Sequence, residues 1–178
     1  MSCSKKNSIA ISVVVLLLLI AASVFYSQHT NKNLGLESIV GHSLSVVLNN
    51  YDEIASSKIE NFSPDNIAGI KMKLVRIEAN SAIIDQAVEY EALKPIAANM
   101  LSLTENMEKS YKANDGKLTD RNKEDYKVLE TEIRNLIPLI RSTYYLPGTE
   151  GKASLKVTEQ GITQIKDRLS QYAASALE

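Results

Sequence analysis

"SPDNIAGIKMKLVRIEANSAIIDQAV", Ser63–Val88, reads as one long helix with its own start signal. Ser63 can accept from the free amides of a first turn, Pro64 suits the first helical position, and Asp65 complements the positive helix end. Ile67, Ile70, Leu74, Ile77, Ser81, Ile84 and Val88 then recur in three- and four-residue steps, which places them in one stripe on one face. That is the seam of a helix packed at a shallow angle on its neighbours. Whether the remaining chain repeats the pattern decides the fold class.

It does so in both directions. Upstream, Leu36, Val40, Ser43, Val47, Asn50 and Ile54 form a second stripe. Downstream, the register shifts to Leu93, Ile96, Met100, Leu103 and Met107 around Pro95. Proline removes an amide and clashes with the preceding turn, so a break or sharp kink is expected just before Pro95, with a third helix running to about Lys112. Pro64 to Lys112 is too long for one pass: either five helices exist or a kinked helix doubles back near Lys94. Asn114-Asp115-Gly116 is turn chemistry. From Asp120 the seam resumes with Tyr126, Leu129, Ile133, Leu136 and Ile140, and Pro138 marks a bend. Pro147, Gly148 and Gly151 mark a loop. In the last segment Leu155, Ile162, Leu169 and Ala176 are spaced by sevens, as are Thr158, Ile165 and Tyr172, which predicts one regular bundle helix. No stretch alternates with a two-residue period. The expected fold class is all-α: an elongated antiparallel helical bundle of four to five helices over residues 34–178.

Ahead of the bundle, "AISVVVLLLLIAASVFYSQ" spans Ala10–Gln28. From Ile9 to Tyr26 no residue is charged, and a helix of that length, at ~1.5 Å per residue, reaches about 27 Å, close to a bilayer core of about 30 Å. Ala21-Ala22-Ser23 offers a small-residue cleavage point for an export signal, but such signals have shorter apolar runs. An anchor explains more: Tyr26 suits the headgroup level, and Lys5 and Lys6 suit the cytoplasmic side. The expectation is a single-pass protein of the inner or plasma membrane. It has a cytoplasmic tail at 1–8, a transmembrane helix at 9–26, a polar bridge at 27–33 and an extracytoplasmic bundle.

The exported part is about 150 residues, the size of one domain with a real core. All 21 acidic residues follow Tyr26, and of the 20 basic ones only Lys5 and Lys6 precede it, leaving the exported part at −3. Nucleic acid is excluded as a partner, since its binding needs a concentrated basic surface. The one cysteine, Cys3, falls in the tail, so no disulfide is available to the bundle; beside an anchor it is a candidate for acylation.

No catalytic constellation is legible, and the protein is not expected to be an enzyme. His29 and His42 lack a second ligand at the spacing that a metal requires, so neither metal nor cofactor is expected. Acidic pairs such as Asp52 with Glu53 and Glu89 with Glu91 are expected on solvated helix faces. Asn61-Phe62-Ser63 is a weak glycosylation acceptor because Pro64 follows. Polar residues within or beside the seams are the remaining candidates. Asn50, Ser81 and Thr158 occupy seam positions, where a buried Asn usually sets register. Arg76, Asn80, Arg134, Arg141, Tyr144 and Tyr145 flank the seams, where guanidinium and phenol groups can grip a carboxylate or stack on a ring.

The stretch "LTENMEKSYKANDGKLTDRNKEDYKVLETEIRNLIPLIRSTYYLPGTEGKA", Leu103–Ala153, resembles the later part of the extracytoplasmic four-helix-bundle sensor domain of bacterial methyl-accepting chemotaxis receptors. The likeness is carried by Tyr111 ending a helical run, the restart at Asp120, the pattern from Tyr126 to Arg141 and the loop from Pro147 to Ala153. The resemblance implies a dimeric ligand sensor that signals by small helix displacements. The family's second span and cytoplasmic coil have no counterpart in these 178 residues, so the expectation is either a sensor domain of a longer receptor or an anchored relative that hands its state to another protein. The aspartate-sensing members hold their ligand with first-helix arginines. From Leu34 to Asn61 the only basic residue is Lys58, so no ligand residue carries over. The expected function is a membrane-anchored sensor that binds a small molecule, homodimeric through its first and last helices. The alternative is an accessory envelope protein that binds a partner protein through its helix seams.

Overall fold

The computed structural model describes Ser23 and residues 32–57, 63–145, 153–155, 157 and 161–175. The chain divides into two compact units, Met1–Leu36 and Glu37–Glu178. In the first unit the described residues, Ser23 and 32–36, are helical. The span expected at 9–26 lies outside the described residues apart from Ser23, as do Cys3, His29, Asn61, Phe62, the loop around Pro147 to Gly151, Thr158 and Ala176. Among the described residues, no helix is long and apolar enough to cross a membrane.

The fold is all-α. Five helices occur among the described residues: α1 (32–55), α2 (Pro64–Val88), α3 (Leu93–Ala113), α4 (Asp120–Tyr144) and α5 (Ile162–Ser175). They include no strand, only an isolated antiparallel bridge between Tyr145 and Ala153. Local chemistry sets the starts. Ser63 Oγ accepts from the Asn66 amide at 3.3 Å with Pro64 in the first turn, and Thr119 Oγ1 accepts from the Asn122 amide at 3.1 Å with Asp120 following. The turn before α4 places Asp115 and Gly116 at positive φ, the left-handed conformation that Asp and Gly tolerate.

Side-chain ties fix the helix directions. Lys71, early in α2, meets Glu105 and Glu108 late in α3, so these two helices run antiparallel. Asn122 at the start of α4 donates to the Met107 carbonyl near the end of α3 at 3.3 Å. Asp52, Ala55 and Ser57 in and just beyond α1 meet Arg141, Arg134 and Tyr126 of α4 in reverse order. Glu132 and Asp125 of α4 meet Arg168 and Tyr172 of α5, also in reverse order. The up-and-down arrangement expected of a bundle is thus present within the second unit.

The seams read from the sequence form the core. Ile67, Ile70, Leu74, Ile77, Ser81 and Ile84 of α2 are buried, as are Leu93, Ile96, Met100, Leu103 and Met107 of α3 and all five seam residues of α4. The break expected just before Pro95 is present, and one boundary, the start of the last helix, differs from expectation. Helix α2 stops at Val88 and α3 begins at Leu93, so the break lies ahead of Pro95, which sits in the first turn of a separate helix where its missing N–H costs nothing. Helix α4 is continuous through Pro138. The last helix begins at Ile162 rather than near Leu155. Gly161, at φ 100°, stands just ahead of it, and a side chain there would meet Leu139 Cδ2 at 3.0 Å.

Candidate functional site

Asp85 organises the end of the bundle where α2 passes to α3. Its position in the last turn of α2 is the wrong one for a carboxylate, since the helix dipole is negative there. The side chain instead serves the next helix. Ala92, the residue ahead of α3, has no capping side chain, and Asp85 supplies the cap from a distance: Oδ2 accepts from the Ala92 and Lys94 amides at 3.1 and 2.9 Å, and Oδ1 from the Leu93 amide at 3.1 Å. Its backbone carbonyl takes the amides of Glu89 and Tyr90, closing α2. The αL position of this closure, usually glycine, is held by Glu89 at φ 55°, ψ 34°. Burial pushes the Asp85 carboxyl above its ordinary range, against the pull of the three amides.

Among the described residues, three hydroxyls in the core have no hydrogen-bond partner: Tyr51 Oη of α1, Ser81 Oγ of α2 and Tyr144 Oη of α4. Their residues are 1 %, 0 % and 0 % exposed, so solvent does not serve them. Ser81 lies one helical turn before Asp85 on the same face of α2. Burial pushes both phenols well up, and the Asp85 charge raises them further, which places the two hydroxyls within electrostatic reach of that carboxylate. Tyr144 also feels Tyr90. An unpaired buried hydroxyl costs about 1–3 kcal/mol, so these three, with Asp85, are a polar layer of the core that packing alone does not favour.

Beside this layer a surface cleft of about 420 Å³ is lined by Asp85, Gln86, Glu89, Tyr90, Glu91 and Lys94, among others. Glu89 and Glu91, expected on a solvated helix face, sit at the turn between α2 and α3 and form part of this lining. Tyr90 Oη lies 2.9 Å from Thr163 Oγ1, linking the cleft to the first turn of α5.

The flanking candidates do not converge. Arg134 is exposed and spans from Glu130 to the Ala55 carbonyl at 2.8 Å, and Arg141 reaches Asp52 at 3.4 Å, so both arginines tie α4 to the end of α1. Arg76 is exposed on α2, and Asn80 donates to its backbone carbonyl at 2.9 Å. Asn50 is half-buried and donates to the Val46 carbonyl of its own turn at 2.8 Å. The half-buried Tyr145 forms the bridge with Ala153. Ser81 and Tyr144 are the candidates that belong to the polar layer.

A second polar group holds α5. Arg168 grips Glu132 through two bonds of 3.0 and 2.7 Å, Asn99 donates to Ser170 at 2.9 Å, and Tyr172 donates to Asp125 at 2.9 Å. Arg121 pairs with the same Asp125 at 3.0 Å and stacks 5.2 Å from the Tyr172 ring centroid. Burial raises Asp125 despite these partners, and the Tyr172 phenol is pushed up to about 12 by burial and by its bond to Asp125.

Asp85, Tyr51 and Tyr90 were not singled out by spacing. The available signal was Asp85 itself, an acid near the end of an apolar seam, where neither burial nor the dipole favours it. Among the described residues, no group of three or more His, Cys, Asp or Glu side chains is placed to hold a metal ion. Comparison with protein-family models, with curated proteins and with solved structures finds no match to this chain.

Proposed function

We propose that this protein is a ligand-binding sensor bundle of the chemoreceptor kind, anchored by residues 9–26 with its bundle outside the cytoplasm and working as a homodimer. One observation carries the reading: three buried hydroxyls without partners among the described residues, Tyr51, Ser81 and Tyr144, the two phenols within electrostatic reach of the buried Asp85 carboxylate. Folding alone disfavours such a layer, whereas a ligand that supplies the missing hydrogen bonds turns the cost into affinity. The Tyr90–Thr163 bond gives the site a direct link to α5, a helix that also makes polar ties to α3 and α4. A ligand that favours one packing of that link over another shifts the position of α5, and a sensor needs that response.

The test is thermal unfolding of the full-length chain against a panel of small metabolites. A compound that binds only the folded protein raises the midpoint, by about 2.7 kcal/mol of stability at a hundredfold excess over Kd. Amide exchange in α5 should change with the same compound.

An accessory role draws on a different feature, the exposed Met72, Val75 and Ile83 on the outer side of α2. It would gain from a purified envelope protein that binds the wild-type chain and not a Val75→Glu chain, with no metabolite shifting the midpoint.

A further inference from the structure

The outer face of α2 carries apolar side chains that the bundle leaves bare. Lys71 reaches Glu105 and Glu108 of α3 on one side and Lys73 reaches Glu53 of α1 on the other, so Met72 between them faces away from both neighbours. Met72, Val75 and Ile83 are 59 %, 48 % and 43 % exposed, more than a bundle packed only on itself requires. Ala68 and Ala79 are exposed as well, and these five residues recur in three- and four-residue steps, which gathers them in one stripe about 22 Å long. Between Asn66 and Gln86 the one charged residue of α2 that is exposed is Arg76, and its guanidinium makes no ion pair among the described residues.

The stripe is complementary to itself. Turned end for end on a second copy, about a two-fold axis beside Val75, it sets Ala68 against Ile83 and Met72 against Ala79, with Val75 next to its own counterpart. Each large side chain then meets a small one, as close packing requires. Arg76, one turn after Lys73, lies on the α1 side of the stripe. The same rotation brings it to the height of Glu53 of the second copy, a carboxylate 62 % exposed that pairs with Lys73 at 2.9 Å. A parallel pairing would instead stack Met72 on Met72 and Arg76 beside Arg76, large on large and like on like.

We propose that the outer face of α2 is where two copies of this chain meet, with the two α2 helices antiparallel. This rests on the homodimer part of the reading above, moves the contact from the first and last helices to α2, and needs no ligand.

The test uses the full-length chain with Cys3→Ser, which removes the one cysteine, in detergent micelles, where no bilayer fixes the relative orientation of two copies. Sedimentation should give a dimer mass. Val75→Glu and Arg76→Glu, both at exposed positions, should each weaken the dimer about tenfold or more, and adding Glu53→Lys to Arg76→Glu should restore most of that loss. Mild oxidation should join Val75→Cys chains to one another and Met72→Cys chains to Ala79→Cys chains in a mixture. Either of the latter two alone should join at least about tenfold more slowly, since a disulfide needs Cα atoms within about 7 Å. Rapid joining of Met72→Cys and of Ala79→Cys chains to themselves would overturn the antiparallel contact. A dimer that none of these cysteines joins and neither charge weakens would overturn the surface and leave the homodimer standing. A monomer at every concentration, including one that captures a purified envelope protein through Val75, would overturn both.

Discussion

Asp85 does the work of two helix ends, and its replacement separates them. Asp85→Ala leaves three amides of the α3 start without acceptors in a site nearly closed to water, an expected loss of about 2–4 kcal/mol in chemical unfolding. Asp85→Asn keeps one acceptor oxygen and should lose about half as much. Glu89 makes the opposite prediction. Its left-handed backbone suits glycine, so Glu89→Gly should raise stability by about 0.5–1 kcal/mol while removing a charge from the cleft. At this scale the sequence was readable where a residue acts on its own turn, as at Ser63, Asp115 and Gly116, while the cap from Thr119 emerged only in the structure. It was not readable where a side chain caps a helix seven to nine residues away, because no periodic pattern marks that contact.

Helix seams were legible because burial on one face forces three- and four-residue spacing, and every core position of α3 and α4 read from that spacing is buried. The last helix was overextended. A seven-residue interval from Leu155 to Ile162 satisfies a seam as well as an irregular segment does, and the left-handed Gly161 between them was the contrary signal. Gly161→Ala must adopt an unfavourable φ and displace Leu139, so it should cost about 1–3 kcal/mol in unfolding free energy. Helix α5 combines a buried seam, Ile162, Ile165 and Leu169, with polar ties to α3 and α4. Cutting the Glu132–Arg168 pair with Glu132→Ala should weaken its docking by about 1 kcal/mol and speed amide exchange across Ile162–Ser175 roughly fivefold, leaving the amides of α3 near their original rates. Equal acceleration in α3 would mean that α5 does not move as a separate unit.

For the molecule as a whole, pH reports the balance between buried and exposed carboxylates. Asp85 and Asp125 are raised by burial, so the stability they contribute is complete below the ordinary aspartate value and is lost as pH rises through their folded values. Glu108 and Asp120 are lowered by their lysine partners, Lys112 with Lys71 and Lys123 respectively. Their contribution is present above the ordinary carboxylate range and is lost as pH falls through the lowered values. Wild type should therefore gain on an Asp125→Asn chain as pH falls from neutral toward the ordinary aspartate value of about 3.9, read from urea midpoints. The all-α class needed only periodicity and breakers. The polar layer was hidden because α1, α2 and α4 each contribute to it, and only packing brings those contributions together. Its meaning turns on whether the three hydroxyls serve folding or binding, and the unfolding free energy of Tyr144→Phe without added ligand decides between them most directly. A gain of about 1 kcal/mol is expected, since the substitution removes a buried hydroxyl that has no partner. A loss of similar size would mean that the hydroxyl holds the core together and is not kept for a ligand.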